Sequence, residues 1–385
     1  MAKKTKLGMI GGGPDAFIGG VHRKAAALDG NYELIGGAFS SDPQKSKSMA
    51  GSLGLDPERV YGSYDEMFTR EKALPEDQRI EAVSIVTPNH VHFDPALKAL
   101  QNGFHVIVDK PLAYSLEQAK SLKEAVDESG LIFALTHTYC GYPMVKEARQ
   151  CVSSGKIGNV RKVYVEYPQG WLATSLESDG NKQASWRTDP AKSGAGGAVG
   201  DIGTHAANLA EYVTGLDIDQ LCGELNITVE GRRLDDDATA LLKFSNGASG
   251  ALVATQVATG EENDLKLRVY GEKGGLEWTH TDPNTLLVKM LDQPVQIYRT
   301  GAGYLSEAAV KNTRLPAGHP EGYLEAFANI YTAFNQAIQD YKAGNLKGID
   351  TYDFPTVDEG VKGMAFIETM ILSGKSTKKW TKILQ

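Results

Sequence analysis

The first 136 residues alternate short apolar runs with segments of helical spacing, and that alternation constrains the fold more than any other feature of the chain. Residues 6–10 form an apolar run that ends in Gly11, Gly12 and Gly13, and residues 22–28 follow with helical character. A strand over 32–39 leads to a helix over 43–53, and Val60 and Tyr61 with residues 63–68 make a third pair. Residues 82–86 are apolar on both faces, as a buried parallel strand requires, and Ala96, Leu97 and Leu100 place a helix over 93–102. Strands over 105–108 and 131–135 flank a helix over 115–128, with Ser115 as its N-cap and Gln118 at the capping-box position. Six strands with interleaved helices specify an α/β domain built on a doubly wound parallel sheet, a Rossmann-type arrangement.

Past Thr136 the pattern changes. Strand-like runs at 161–167, 221–230, 238–244, 250–255, 265–270 and 286–290 mostly lack helices between them. Turns such as Ser245-Asn246-Gly247 join some of them, so the second half is expected to be α+β with a large, mostly antiparallel open sheet. The domains are therefore set at 1–136 and 137–385. Two closing helices, near 321–342 and 357–373, are free to pack back on the first domain. The segments 172–197 and 292–320 are long and patternless, which suits functional loops.

A chain of 385 residues exceeds the size at which one core keeps growing, and its 41% apolar content supplies two. The formal charge of −8 lacks the basic stripe that nucleic acid requires and suits anionic membranes no better. Cys140, Cys151 and Cys222 match no zinc spacing and read as free thiols in a reducing compartment. With no apolar leader after Met1 and no run of about 18 apolar residues, a cytoplasmic location is expected.

A glycine-rich turn between a strand and a helix suits a pyrophosphate, because backbone amides approach it without a Cβ in the way and the helix offers its positive end. Gly11, Gly13 and Gly19 fit those roles in a G-x-G-x(5)-G spacing, three residues longer than the dinucleotide fingerprint, and an ordinary glycine turn is the alternative. At the end of the second strand, where an acidic residue would hold the ribose hydroxyls, stands Ser40, with Asp42 two residues on. No Arg lies beside them for a 2′-phosphate, which favours NAD and leaves NADP open.

Asp109-Lys110-Pro111 falls at a strand's carboxyl end, where ligands collect in such sheets. The proline keeps Lys110 out of helical geometry, and its ammonium there can stabilise a developing alkoxide; the alternative is a solvated loop lysine. Asp201 and His205 lie four residues apart at a helix start, on one face, beside the flexible Gly194-Ala195-Gly196-Gly197 run. An imidazole is the natural base for a hydroxyl proton near neutral pH, whereas a capping Asp and a structural His are the plainer reading.

Taken in order, several motifs resemble the glucose-fructose oxidoreductase, inositol dehydrogenase and rhizopine catabolism (Gfo/Idh/MocA) oxidoreductases. They are the glycine loop with Gly19-Gly20-Val21-His22, Thr87-Pro88-Asn89-His90-Val91-His92, Asp109-Lys110-Pro111, Gly155-Lys156-Ile157-Gly158 and Gly200-Asp201-Ile202-Gly203-Thr204-His205. Asp109 replaces the family's usual Glu, and the glycine loop carries the insert Pro14-Asp15-Ala16. The resemblance implies that Lys110, Asp201 and His205 form the catalytic group, with His205 as acid/base and Lys110 polarising the oxygen. It also implies a cis Lys110–Pro111 peptide and a cofactor lined by Thr87, Asn89, His92, Asp109 and Lys110. Phe17 and Ile18, after the insert, join Gly11, Gly13 and Ser40 in that set. His90 and His92 have no third ligand nearby, so no metal is expected.

Gln169, Trp171, Trp186, Arg187 and His319 are candidate sugar contacts, since aromatic faces with amide and guanidinium donors suit C–H stacking and hydroxyl hydrogen bonds. The insert and the segment between Trp171 and Arg187 look most similar to levoglucosan dehydrogenase-type members. The implied activity is a reversible hydride transfer between a secondary hydroxyl of a sugar, glycoside or cyclitol and a nicotinamide. Two alternatives are a glycosidase or lyase that oxidises its sugar only transiently, and a non-enzymatic sensor. Pairing of the open C-terminal sheets would give a homodimer or homotetramer.

Overall fold

The computed structural model describes residues 4–14 and 16–385. The chain divides into two compact units, one of Met1–Thr136 with Phe327–Val361 and the other of His137–Ala326 with Lys362–Gln385.

In the first unit, β1 (Thr5–Gly11), α1 (Phe17–Leu28), β2 (Tyr32–Ala38), α2 (Pro43–Leu53), α3 (Tyr64–Lys72), β3 (Ala82–Val86), α4 (Phe93–Gln101), β4 (His105–Val108), α5 (Leu116–Ser129) and β5 (Phe133–Leu135) follow in alternation. The sheet is parallel throughout, in the order β2-β1-β3-β4-β5. It has five strands where six were expected, because Val60 makes only an isolated parallel bridge to Gly37. Strands β3 and β4 are buried at every position, which is why they read as unbroken apolar runs. Ser63 and Ser115 cap α3 and α5 by accepting from the amides of Glu66 and Gln118. The Gln118 side chain reaches back to the Tyr114 amide, one residue before the cap.

Strand order reverses between β1 and β3, so their carboxyl ends border the crevice in which such sheets bind ligands. One buried group makes this unit sensitive to acid. The Ile132 N–H donates to His105 Nδ1 at 3.0 Å, which requires an unprotonated nitrogen, and burial pushes the imidazole down to about 4. Unfolded, the group titrates near 6.5, so the unfolded chain binds more protons between the two values. This contribution is complete above pH 6.5 and is lost as pH falls toward 4, by about 3 kcal/mol. Urea midpoints across that range should fall in the parent protein and flatten in His105→Gln, whose amide oxygen can still accept from Ile132.

In the second unit, α6 (Pro143–Ser153), β6 (Val160–Pro168), α7 (Lys182–Arg187), α8 (Pro190–Ser193) and α9 (Thr204–Thr214) precede a run of strands. These are β7 (Ile218–Asn226), β8 (Asp237–Phe244), β9 (Ser249–Thr255), β10 (Lys266–Gly271), β11 (Gly274–Thr279), β12 (Thr285–Met290) and β13 (Gln296–Arg299). After α10 (Glu307–Lys311), α11 (Tyr323–Lys342) and α12 (Val357–Gly374), a short β14 (Thr381–Lys382) completes a nine-stranded sheet. Its order is β13-β12-β11-β10-β6-β9-β8-β7-β14, antiparallel except for the parallel pair β6–β9.

Helices α6 and α9 pack together and against the β6, β9, β11 and β12 region. Along β8 the side chains alternate, with Ala238, Ala240, Leu242 and Phe244 buried and Thr239 and Leu241 exposed, so the other face of the sheet is open. The segments that looked patternless contain α7, α8 and α10, too short to show a period. No helix among the described residues is long and apolar enough to cross a membrane.

Candidate active site

In the first unit, the turn after β1 is built on close approach. Gly11 and Gly12 hold φ of 85° and 72°, in the left-handed region that favours glycine. A Cβ on Gly19 would stand 2.3 Å from Gly12 Cα, and one on Gly13 would stand 2.6 Å from the Phe39 carbonyl oxygen. Arg23 on α1 donates to the Gly12 carbonyl at 2.8 Å and pins the turn. Gly12, passed over at the sequence level, thus supplies the close packing of helix on strand together with Gly19. Gly19→Ala should destabilise this unit by about 1–3 kcal/mol, or weaken cofactor binding if the turn shifts to absorb the methyl. Thermal unfolding with and without NAD separates the two.

Beside the turn, Thr87 Oγ1 is buried with no hydrogen-bond partner, and the Thr87 methyl is 3.0 Å from where a Gly11 Cβ would lie. A positive-φ glycine cradle with an orphaned hydroxyl at the strand-order reversal fits a dinucleotide pyrophosphate. Ser40 Oγ accepts from the Asp42 amide, and Asp42 caps α2 through the amides of Gln44 and Lys45. Ile18 packs on the Met9, Phe39 and Met49 cluster, whereas Phe17 is 66% exposed. Asp15 of the insert lies outside the described residues.

The Lys110–Pro111 peptide is cis. His92 braces that turn, with Nδ1 2.8 Å from the Pro111 carbonyl and Nε2 2.8 Å from the Thr87 carbonyl. Asn89 is buried at the start of the same short helical turn, and His90 is exposed. Asp109 Oδ1 accepts from Thr136 Oγ1 at 2.8 Å and lies 3.8 Å from His22 Nε2. Burial alone would raise the Asp109 carboxyl, but His22, Lys110 and His92 around it hold it well below the usual carboxylate range. His22 Nδ1 in turn meets Tyr331 Oη at 2.8 Å and Ser84 Oγ at 3.2 Å. A charged Asp109 on a buried polar chain is therefore the fixed neighbour of Lys110.

In the second unit, Asp201 lies in a π-helical turn, Val199–Gly203, that runs into α9. The segment is wider than the regular helix expected from the motif, so Asp201 and His205 do not stack as an ideal i, i+4 pair. Asp201 Oδ2 accepts from Arg187 Nε at 3.0 Å and Gln256 Nε2 at 2.9 Å. The Arg187 guanidinium sits 4.3 Å from the Trp186 ring centroid and 5.6 Å from that of Trp171. Trp171 Nε1 donates to Gln169 Oε1 at 3.1 Å, and Gln256 reaches the same oxygen. Gln169, Trp171, Trp186, Arg187 and Asp201 thus form one bonded cluster. His319 stands apart, exposed, with Nδ1 3.1 Å from the Pro316 carbonyl.

His205 is buried, its ring 5.0 Å from Tyr139 and 6.4 Å from Tyr167. The two tyrosine hydroxyls bond each other, and Tyr167 donates to Asn263 Oδ1 at 2.7 Å. Burial pushes Tyr139 up to about 12, so it is neutral at ordinary pH. The buried Asp235 carboxylate accepts from the amides of Gly197 and Val199 at 2.7 and 2.8 Å and anchors the turn that carries Asp201. Gln256, Asn263, Tyr139, Tyr167 and Asp235 escaped the sequence reading. The available signal was position: Gln169 and Gln256 follow the carboxyl ends of the parallel neighbours β6 and β9. Among the described residues, no three His, Cys, Asp or Glu side chains are grouped to hold a metal ion.

A parallel sheet with a glycine cradle at its reversal point, followed by a unit whose Asp and His sit among amides and aromatic rings, has the organisation of a dinucleotide-dependent oxidoreductase. Residues 5–137 match the oxidoreductase family with an NAD-binding Rossmann fold, and residues 145–277 match the GFO/IDH/MocA C-terminal domain. The chain belongs to the Gfo/Idh/MocA oxidoreductase family, and its first 137 residues carry that family's NAD-binding fold.

Among curated proteins it is 31% identical to the uncharacterized oxidoreductase YfiI of Bacillus subtilis, over 99% of this chain and 98% of that one. It is 27% identical to levoglucosan dehydrogenase of Pseudarthrobacter phenanthrenivorans, over 74% of this chain and 76% of that one. Among solved structures, an oxidoreductase from Sinorhizobium meliloti is 46% identical with a TM-score of 0.88, covering 99% of this chain and 100% of that one. An inositol dehydrogenase homolog from Azotobacter vinelandii, complexed with NADH and myo-inositol, is 32% identical with a TM-score of 0.92, covering 99% and 98%.

Proposed function

We propose that the chain is an NAD-dependent dehydrogenase of a neutral sugar, glycoside or cyclitol, oxidising one secondary hydroxyl to a ketone. The observation that carries this reading is the bonded cluster around Asp201, in which Arg187, Gln256, Gln169 and two tryptophans present hydroxyl-binding groups and aromatic faces. In the second unit, His205 takes the hydroxyl proton and Asp201 orients the sugar. In the first unit, the Lys110 ammonium stabilises the alkoxide as it develops. Gly11, Gly12, Gly13 and Thr87 hold the dinucleotide, with Asp109 fixing the neighbourhood of Lys110. NAD, when bound, accepts the hydride that leaves the same carbon.

The relatives' names support two substrate types. Levoglucosan dehydrogenase, together with the aromatic segment from Trp171 to Arg187, favours a pyranoside or anhydrosugar, and the structure containing myo-inositol favours a cyclitol. A panel of pyranosides, anhydrosugars and cyclitols, with NAD and with NADP, is the test. Reduced cofactor should accumulate with at least one neutral polyol and preferentially with NAD. A sugar consumed with no reduced cofactor would support transient oxidation, the second reading.

A second copy of the chain is proposed to cover the open face of the nine-stranded sheet, where Leu241 and Tyr164 are exposed. Light scattering should show a dimer or tetramer that Leu241→Glu weakens. The three cysteines are free, which supports a reducing, cytoplasmic location.

A further inference from the structure

His137, absent from every motif in the sequence, lies two residues past the end of β5 and is 1% exposed. Its Nδ1 lies 3.4 Å from Nδ1 of His205, with the rings 5.3 Å apart at 81°. Two neutral imidazoles can share such a contact only if one nitrogen carries the proton and the other offers its lone pair. The pair is enclosed, since His137 is almost wholly buried, His205 is buried and the Tyr139 ring lies 5.0 Å from that of His205. The contact is therefore a built feature of the second unit, and it decides which nitrogen of His205 faces the reaction.

We propose that His137 is a positioning residue that accepts the Nδ1 proton of His205 and so leaves the His205 Nε2 lone pair to take the substrate's hydroxyl proton. The inference rests on the reading of His205 as the base. In the step itself, the O–H bond of the alcohol breaks and its proton bonds to Nε2, while the Nδ1 proton stays on His205 and is donated to His137. The imidazolium so formed keeps both its protons bonded, which a buried cation requires. In other enzymes a carboxylate does this work; here the partner is a neutral imidazole, so it fixes the tautomer without adding a negative charge.

Asp201, Tyr139, Tyr167 and His280 are titratable groups near the pair. Asp201 lies on the preceding π-helical turn, already engaged by Arg187, and Tyr139 and Tyr167 are held neutral by burial. Tyr139 also packs against His280 and Tyr323, and burial lowers His280 and so keeps it neutral.

The test compares His137→Phe, His137→Asn and His205→Ala in the full-length enzyme, with a ¹⁵N spectrum of histidine-labelled parent protein. His137→Phe fills the space without an acceptor and should lower kcat about ten- to hundredfold. The acid limb of its kcat/KM profile should move about one pH unit lower, because the imidazolium has lost its bonded partner. His137→Asn, whose Oδ1 can accept, should recover most of both. The ¹⁵N shifts of the parent should show His205 protonated at Nδ1 and bare at Nε2, a measurement that needs no variant to fold. A His137→Phe enzyme with the parent's pH profile and kcat within about twofold overturns the proposal, as does a His205 protonated at Nε2. Retained activity in His205→Ala strikes instead at the role of His205 and at the proposed function.

Discussion

Replacing Lys110 with alanine should leave NAD binding intact and lower kcat by about 10²-fold or more. The side chain belongs to a turn that other residues also hold. The cis peptide before Pro111 is braced by His92, and Asp109 is held by Thr136 with His22 close by. Removing the ammonium therefore takes away a charge while the His92 and Thr136 contacts still hold the turn. The loss should appear in kcat more than in KM, since the developing alkoxide gains more from a cation than the neutral alcohol does. Lys110→Arg should recover little, because the planar guanidinium cannot reproduce a compact ammonium at the same point. Stopped-flow turnover with NAD titrations in parallel checks both halves, and a parent-like kcat in Lys110→Ala removes Lys110 from the chemistry.

The second large effect is expected at His205. His205→Ala should cost about 10²- to 10⁴-fold in kcat, the range for a positioned general base. Its activity should rise steeply with pH, as hydroxide in solution takes over removal of the proton. The buried surroundings predict a further signature. His205 stands among the rings of Tyr139, Tyr167 and His137, so small exogenous bases have to enter an aromatic-lined space. Imidazole should therefore rescue His205→Ala better than bulkier amines of similar basicity. Equal rescue by all of them contradicts a confined site.

How much of this was legible depended on how local the signal was. Strands β3 and β4 showed because every side chain in them is buried. Helix α6 did not show, because Lys146 and Glu147 interrupt its apolar stripe even though both are buried. Glu147 accepts from the Ser306 amide at 2.8 Å, and Lys146 lies against Tyr212, contacts that sequence spacing does not reveal. The extra strand expected at Val60 fails for the opposite reason, since a β-branched residue beside an aromatic one makes a single bridge and goes no further.

The site divides in the same way. Lys110, Asp201 and His205 sit in contiguous motifs and could be read directly. The partners that define their chemistry lie tens of residues away: Gln256 meets Asp201 because the π-helical turn packs against β9, and Asp235 holds the Gly197 and Val199 amides from across a loop. Only the tertiary packing of the unit brings them together. Gly12 was missed for a subtler reason, because the inserted residues displaced the familiar glycine spacing while close packing on Gly19 was kept.

The most direct measurement follows the hydrogen. A polyol found active in the substrate panel, deuterated at its reacting carbon, is incubated with enzyme and NAD, and the nucleotide is analysed by mass spectrometry. One deuterium per molecule of reduced cofactor, matched by an equal amount of ketone, is the predicted result. Deuterium released to water, or a changed sugar with the cofactor left oxidised, contradicts it.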